Sequence, residues 1–183
     1  LRLESVAMPN IEPTTFPSYA PGFWPDTDSD LWQDYRWQLK NRVTSLSALE
    51  QHIELSGEER AGVLLSGNKL AMAITPHFFN LIDKDDPNCP IRRQMIPRIE
   101  ETLTDPAEMS DPCGEDSHMP VPGPVHRYPD RVLFLVTDRC AAFCRHFSRS
   151  RVVSGVSDPK LETQWEAASD CLGKNVGIRA VFI

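Results

Sequence analysis

Apolar positions recur at helical spacing through the first hundred residues and gather into short continuous runs after residue 130. Leu31, Trp32, Tyr35 and Leu39 share one helical face behind the cap candidates Asp28-Ser29-Asp30, which predicts a helix over 31–41. Thr44 or Ser45 opens a second helix with Leu46, Leu49 and Ile53 on one side. Ser56 and Glu59 are spaced as a capping box heading a third helix to Leu65. Ile74-Thr75-Pro76-His77 starts a short helix through Leu81 and Ile82, and Asp85-Asp86-Pro87-Asn88 is a turn. Residues 91–103 read as a further helix with Pro97 inside it or at a break. A long loop over 104–125 follows, with five prolines and several acids. Then the period changes. Val132 to Thr137 is the continuous run expected of a strand buried on both faces. Asp158-Pro159 supplies a cap followed by proline at the first helical position, and Leu161, Trp165, Ala168 and Leu172 continue as an amphipathic helix stopping near Gly173. Arg179 to Ile183 is a second apolar strand. Strand, helix, strand predicts a β-α-β unit with the two strands parallel, and so an α/β fold.

Ahead of the first helix, Pro9, Pro13, Pro17, Pro21 and Pro25 fall four apart, a spacing that blocks helix and sheet and predicts an extended arm over 1–27. Its aromatics Phe16, Tyr19, Phe23 and Trp24 need a surface to pack on, either the arm's own body or a neighbouring subunit. The remaining organisation is a helical region over 28–104, a proline-rich connector over 105–125 and the β-α-β unit over 126–183. The chain opens on Leu1 and ends on the apolar Ala180-Val181-Phe182-Ile183, and both ends read as truncations.

At 183 residues, 40% hydrophobic and 25% charged, the composition is that of a soluble globular protein. No segment nears the roughly 18–20 apolar residues of a membrane span, and the N-terminus has no signal-peptide core, so the expected location is cytoplasmic. A net charge of −7 argues against nucleic-acid binding. The charge is unevenly spread. Between His126 and Arg151, six arginines (127, 131, 139, 145, 149 and 151) face two acids, Asp130 and Asp138, a local balance of +4. Such a segment suits small phosphate- or carboxylate-bearing ligands, and its bland alternative is a solvated basic face.

Five cysteines without a secretory signal do not suggest a disulfide framework. Cys89, Cys113 and Cys171 read as ordinary small side chains. Cys140 and Cys144 differ, because their loop leaves the carboxyl end of the first strand, where α/β sheets carry their chemistry. Zinc is one candidate, with His146 as a further ligand, although structural zinc sites usually add a second cysteine pair. A Cys-x3-Cys-x2-Cys loop would instead hold three irons of a 4Fe–4S cluster and leave the fourth open.

The stretch His126-Arg-Tyr-Pro-Asp-Arg-Val-Leu-Phe-Leu-Val-Thr-Asp-Arg-Cys-Ala-Ala-Phe-Cys-Arg-His-Phe-Ser-Arg-Ser-Arg151 resembles the core signature of the lysine 2,3-aminomutases. Residues 31–44, Ile74-Thr-Pro and residues 81–92 resemble the family's upstream segments, so the likeness runs from about residue 28 to the end. The resemblance implies a helical N-terminal region followed by the first β-α-β unit of a partial parallel (β/α) radical S-adenosylmethionine barrel. It implies an isomerase that moves an amino group of a small amino acid from the α to the β carbon, working as a homo-oligomer in full-length form. The implied cofactors are a 4Fe–4S cluster, S-adenosylmethionine and pyridoxal phosphate. Carried over residue by residue, Cys140 and Cys144 are cluster ligands, Arg127, Tyr128 and Arg131 lie near the pyridoxal phosphate, His146 lies beside the adenine of S-adenosylmethionine, and Arg149 grips the substrate carboxylate. The pattern departs at its third cysteine, where this chain has Phe147, a side chain with no donor atom. A Ser-Gly-Gly-Asp stretch, the pyridoxal-bearing lysine and the acids that hold a distal amine come later in the family. The expectation is therefore that this chain alone is inactive. The alternative is a non-catalytic remnant acting as a subunit-interaction module.

Overall fold

Local capping decides where the helices begin in the computed structural model, which describes residues 22–68, 70–153, 161 and 164–183. The Asp28 carboxylate accepts the N–H groups of Asp30 and Leu31, both at 2.9 Å, and opens α1 (Ser29–Gln33). The single helix expected over 31–41 is in fact two. Asp34 leaves helical geometry (φ −73°, ψ 112°) and accepts from the Arg36 N–H, capping α2 (Tyr35–Lys40). An aspartate that competes for backbone N–H groups breaks a pattern that apolar spacing alone reads as continuous. Ser45 caps α3 (Leu46–Glu50), and α4 (Gly57–Leu65) carries the full capping box of Ser56 and Glu59. Thr75 caps α5 (Pro76–Asn80), with Pro76 at its first position. The helix expected over 91–103 is also interrupted. α6 (Pro90–Met95) stops before Pro97, and a short 3₁₀ turn over Ile99–Thr102 replaces its continuation. The residue before a proline is pushed toward extended geometry, as Ile96 is with ψ 124°.

These short helices surround one core. Leu49, Ile53, Met72, Ile74, Phe79, Met95 and Ile96 are buried in it together with Ala142 from the cysteine loop. Phe23 and Trp24 dock on its edge, Phe23 against Phe79 (ring centroids 5.2 Å apart) and Trp24 against His52 (4.9 Å). Burial there holds the His52 imidazole below its ordinary value. Phe16, Tyr19 and most of the arm lie outside the described residues.

Gly62 is the tightest joint in this region. A Cβ added there would lie 2.4 Å from the Cα and carbonyl carbon of Arg98, so α4 meets the 98–102 segment backbone to backbone. Helix propensity favours alanine over glycine by about 1 kcal/mol. Gly62→Ala is nevertheless expected to destabilise the chain by about 1–3 kcal/mol through overpacking. The check is a urea midpoint shifted downward; an upward shift would mean the two segments separate easily.

The sheet has three strands in the order β1 (Pro124–Tyr128), β2 (Arg131–Phe134), β3 (Ala180–Phe182). β2 and β3 pair in parallel with Val132 opposite Val181, as the two apolar runs predict. Both strands are shorter than those runs. β1 is an addition that the hydrophobic pattern does not show. It pairs antiparallel with β2 (Pro124 opposite Phe134, Tyr128 opposite Arg131) and begins inside the connector expected to extend to 125. Pro124 sits at the first position of the strand, where its missing N–H costs no ladder bond. Gly123 before it has φ +112° and lets the backbone approach β2, the Leu135 N–H donating to its carbonyl at 3.0 Å.

Between β2 and β3 run α7 (Ser150–Val153) and α8 (Trp165–Lys174). α8 buries Ala168 completely, and the Trp165 indole N–H donates to the Val136 carbonyl at 2.8 Å. The Asp158-Pro159 start expected for this helix lies outside the described residues. Among the described residues no helix is long and apolar enough to cross a membrane.

Candidate functional site

The loop that leaves β2 is fastened to the helical region along its whole cysteine stretch. Arg42, just after α2, donates from Nη1 to the Cys140 carbonyl at 3.1 Å, and its guanidinium lies 5.9 Å from the Phe143 ring. Ala142 is buried in the helical core. The Phe143 N–H donates to the Ala73 carbonyl and the Arg145 N–H to the Gln94 carbonyl, both at 2.9 Å. The Gln94 side-chain amide then donates to Cys144 Sγ at 3.2 Å. Cys140 and Cys144 are both free thiols and partly buried.

Arg145 explains part of the basic segment. Its side chain is 2% exposed, pairs with Glu101, and donates from Nη1 to the carbonyls of Leu70 (3.1 Å) and Ala71 (3.0 Å). It is a buried structural anchor, not an anion site. His146 and Phe147, which follow it, are exposed, Phe147 at 37%. The Phe147 ring therefore does not seal the loop into a closed core.

Past the loop, Arg149 meets an acid from the connector. Glu115, almost fully buried, accepts from Arg149 Nε with both oxygens, at 2.9 and 3.0 Å, and lies 2.8 Å from Arg149 Nη2 as an ion pair. Arg151 Nη2 lies 3.0 Å from both Asp111 and Asp116 and 3.4 Å from Glu115. The Glu115 carboxylate beside Arg149 raises the arginine's pKa above its ordinary value. For Arg151, burial works to lower the pKa, but the acids around it hold it above the ordinary value. The Asp116 N–H and Arg151 keep the Asp111 carboxyl below the usual range. Two arginines of the segment, Arg149 and Arg151, are thus met by acids of the preceding connector, a pairing with no signature in either stretch taken alone.

Arg127, Tyr128 and Arg131 lie at the opposite end of β2, around the β1–β2 turn. All three are exposed. Arg127 donates to the Cys113 carbonyl at 2.7 Å, and Arg131 stacks over Tyr128 at 5.6 Å while pairing with Asp130 at 3.0 Å. The guanidinium of Arg131, with that of Arg179, pulls the Asp130 carboxyl below its usual value. Two exposed guanidinium groups and a phenol are a fitting donor set for a phosphate monoester. The cysteine loop fits its implied cluster poorly. It offers two thiols with Phe147 at the third place, and among the described residues no three His, Cys, Asp or Glu side chains come together as a metal site. Arg42, Gln94, Glu101 and Glu115 are the supporting residues that sequence reading misses, because each is distant in sequence from what it holds.

No family model matches the chain. It is 42% identical over 161 residues to an L-lysine 2,3-aminomutase of Fusobacterium nucleatum, a match covering 88% of this chain and 38% of the relative. It is 41% identical over 157 residues to an L-lysine 2,3-aminomutase of Clostridium subterminale, covering 86% of this chain and 38% of the relative. A glutamate 2,3-aminomutase of Clostridioides difficile is 35% identical over 157 residues, 86% of this chain and 37% of the relative. The chain spans less than two fifths of the length of these relatives.

Proposed function

Because the chain belongs to the L-lysine 2,3-aminomutase family, we propose that it supplies the helical region and first barrel strands of an isomerase that shifts an amino group between the α and β carbons of a small amino acid. The observation that carries this reading is the parallel β2–β3 pair with the Cys140–Cys144 loop at its carboxyl end, in a chain 34–42% identical to lysine 2,3-aminomutases over nearly nine tenths of its length. The reading places S-adenosylmethionine near His146 and the whole assembly in a homo-oligomer. It leaves lysine and glutamate equally open as substrates.

Pyridoxal phosphate would supply an electron-withdrawing ring that carries the amino acid. Arg127 and Arg131 would hold its phosphate, with Tyr128 beside it. Arg149 would hold the substrate carboxylate. With Phe147 in the loop the three-thiolate set is incomplete, so no radical step is assigned to this chain, and its own part is binding and orientation. That same incompleteness favours a second reading, a subunit-interaction module without chemistry.

Titration of the chain with pyridoxal phosphate and, separately, with pyridoxal tests the first reading. Phosphate-dependent binding is expected, weakened at least about fivefold in Arg127→Ala and in Arg131→Ala, the scale of one charge-assisted hydrogen bond at a wet site. No protein Schiff-base absorption band is expected. Equal affinity for the two forms would remove the phosphate assignment and leave the interaction module.

A further inference from the structure

The connector's acid turn has a use beyond charge balance. Glu115 spends both carboxylate oxygens on one edge of Arg149, with Nε at 2.9 and 3.0 Å and Nη2 at 2.8 Å, and its own side chain is only 6% exposed. A guanidinium presents its donors on two usable edges, and a carboxylate occupies one of them at a time. With the Nε–Nη2 edge held, the Nη1–Nη2 edge of the 30%-exposed Arg149 is the one an incoming carboxylate can take. The turn that carries Glu115 is itself braced. The Asp111 carboxylate accepts the Asp116 N–H at 2.8 Å, the Gly114 carbonyl lies 2.7 Å from the His118 ring, and Arg127 ties the Cys113 carbonyl to β1 at 2.7 Å. Arg151 approaches the same Glu115 carboxylate at 3.4 Å, so its charge is shared and Arg149 keeps positive charge for a ligand.

We infer that Glu115 is a positioning residue that locks Arg149 side-on, so that its free edge receives the α-carboxylate of an amino acid. The inference rests on the reading of Arg149 as the carboxylate grip. An arginine held in one rotamer loses less freedom on binding than one that must be ordered by the ligand.

The experiment follows arginine Nε–H signals by NMR in the ¹⁵N-labelled 183-residue chain, with Arg149→Lys identifying the Arg149 signal. L-lysine is the probe and L-lysinamide, which lacks the carboxylate, the control. In the wild-type chain L-lysine is expected to shift the Arg149 signal and L-lysinamide to leave it in place. In Glu115→Gln the Arg149 Nε–H should exchange faster with solvent and L-lysine should bind about fivefold more weakly, with Glu115→Asp intermediate. Unchanged or tighter L-lysine binding in Glu115→Gln overturns the positioning role. Binding that survives Arg149→Lys, or no L-lysine response in the wild type, instead overturns the grip reading, and the positioning role goes with it. Should Glu115→Gln disturb backbone amide signals throughout the chain, Glu115→Asp decides, and wild-type affinity in that variant counts against the inference.

Discussion

Arg92→Ala is expected to lower the unfolding free energy by about 3–5 kcal/mol, the cost of leaving one member of a buried ion pair without its partner. Arg92 and Glu59 are 3% and 2% exposed and meet at 2.7 Å, with a second bond from Arg92 Nη2 at 2.9 Å. The same guanidinium donates at 2.7 Å to the carbonyls of Lys84 and Glu54, so its loss orphans two backbone acceptors as well. Glu59 serves two purposes. One oxygen closes the capping box on the Ser56 N–H at 2.9 Å while the pair faces Arg92. Burial pushes its carboxyl upward, yet Arg92 and Ser56 hold it below the usual carboxylate range. Urea unfolding of the single variant measures the effect, and a loss under about 1 kcal/mol would show that water reaches Glu59 in the native chain. The double variant Glu59→Gln with Arg92→Met is the control. It removes both charges at similar volume and is expected to lose much less than the single variant.

Phe147→Cys should change iron content more than any other single substitution. It places a third thiolate beside Cys140 and Cys144, and anaerobic reconstitution with iron and sulfide is expected to yield about four irons per chain and an oxygen-sensitive visible absorption. The present chain should retain little or no iron. The substitution itself costs little, since Phe147 is 37% exposed and lies outside the core. The bonds that hold the loop, Gln94 on Cys144 Sγ and Arg42 on the Cys140 carbonyl, do not involve position 147. Iron and sulfide analysis of both versions decides the matter. Equal iron content would mean that position 147 is not what separates this loop from a cluster site. Catalysis is not expected to accompany the cluster in this chain.

What the sequence determined by itself is local or strongly patterned. The Ser56–Glu59 capping box, the Thr75 cap with Pro76 behind it, and the two parallel strands were all legible because each depends on neighbours within a few residues or on a run of apolar side chains. The break at Asp34 was written there too, as a capping side chain that apolar spacing outvoted. The tertiary structure decided the rest. β1 exists because β2 offers its edge, and a chain reading His126-Arg127-Tyr128 carries no alternation to announce a strand. Gly62 reads as a weak helix position until Arg98 is found against its Cα. Most of all, five of the basic segment's six arginines divide into a buried anchor (Arg145), two paired with the connector's acids (Arg149 and Arg151) and two exposed at the far end of β2 (Arg127 and Arg131). Charge along a sequence counts arginines. Which of them stay available to a ligand depends on partners 34 to 75 residues away, brought close only when the chain folds.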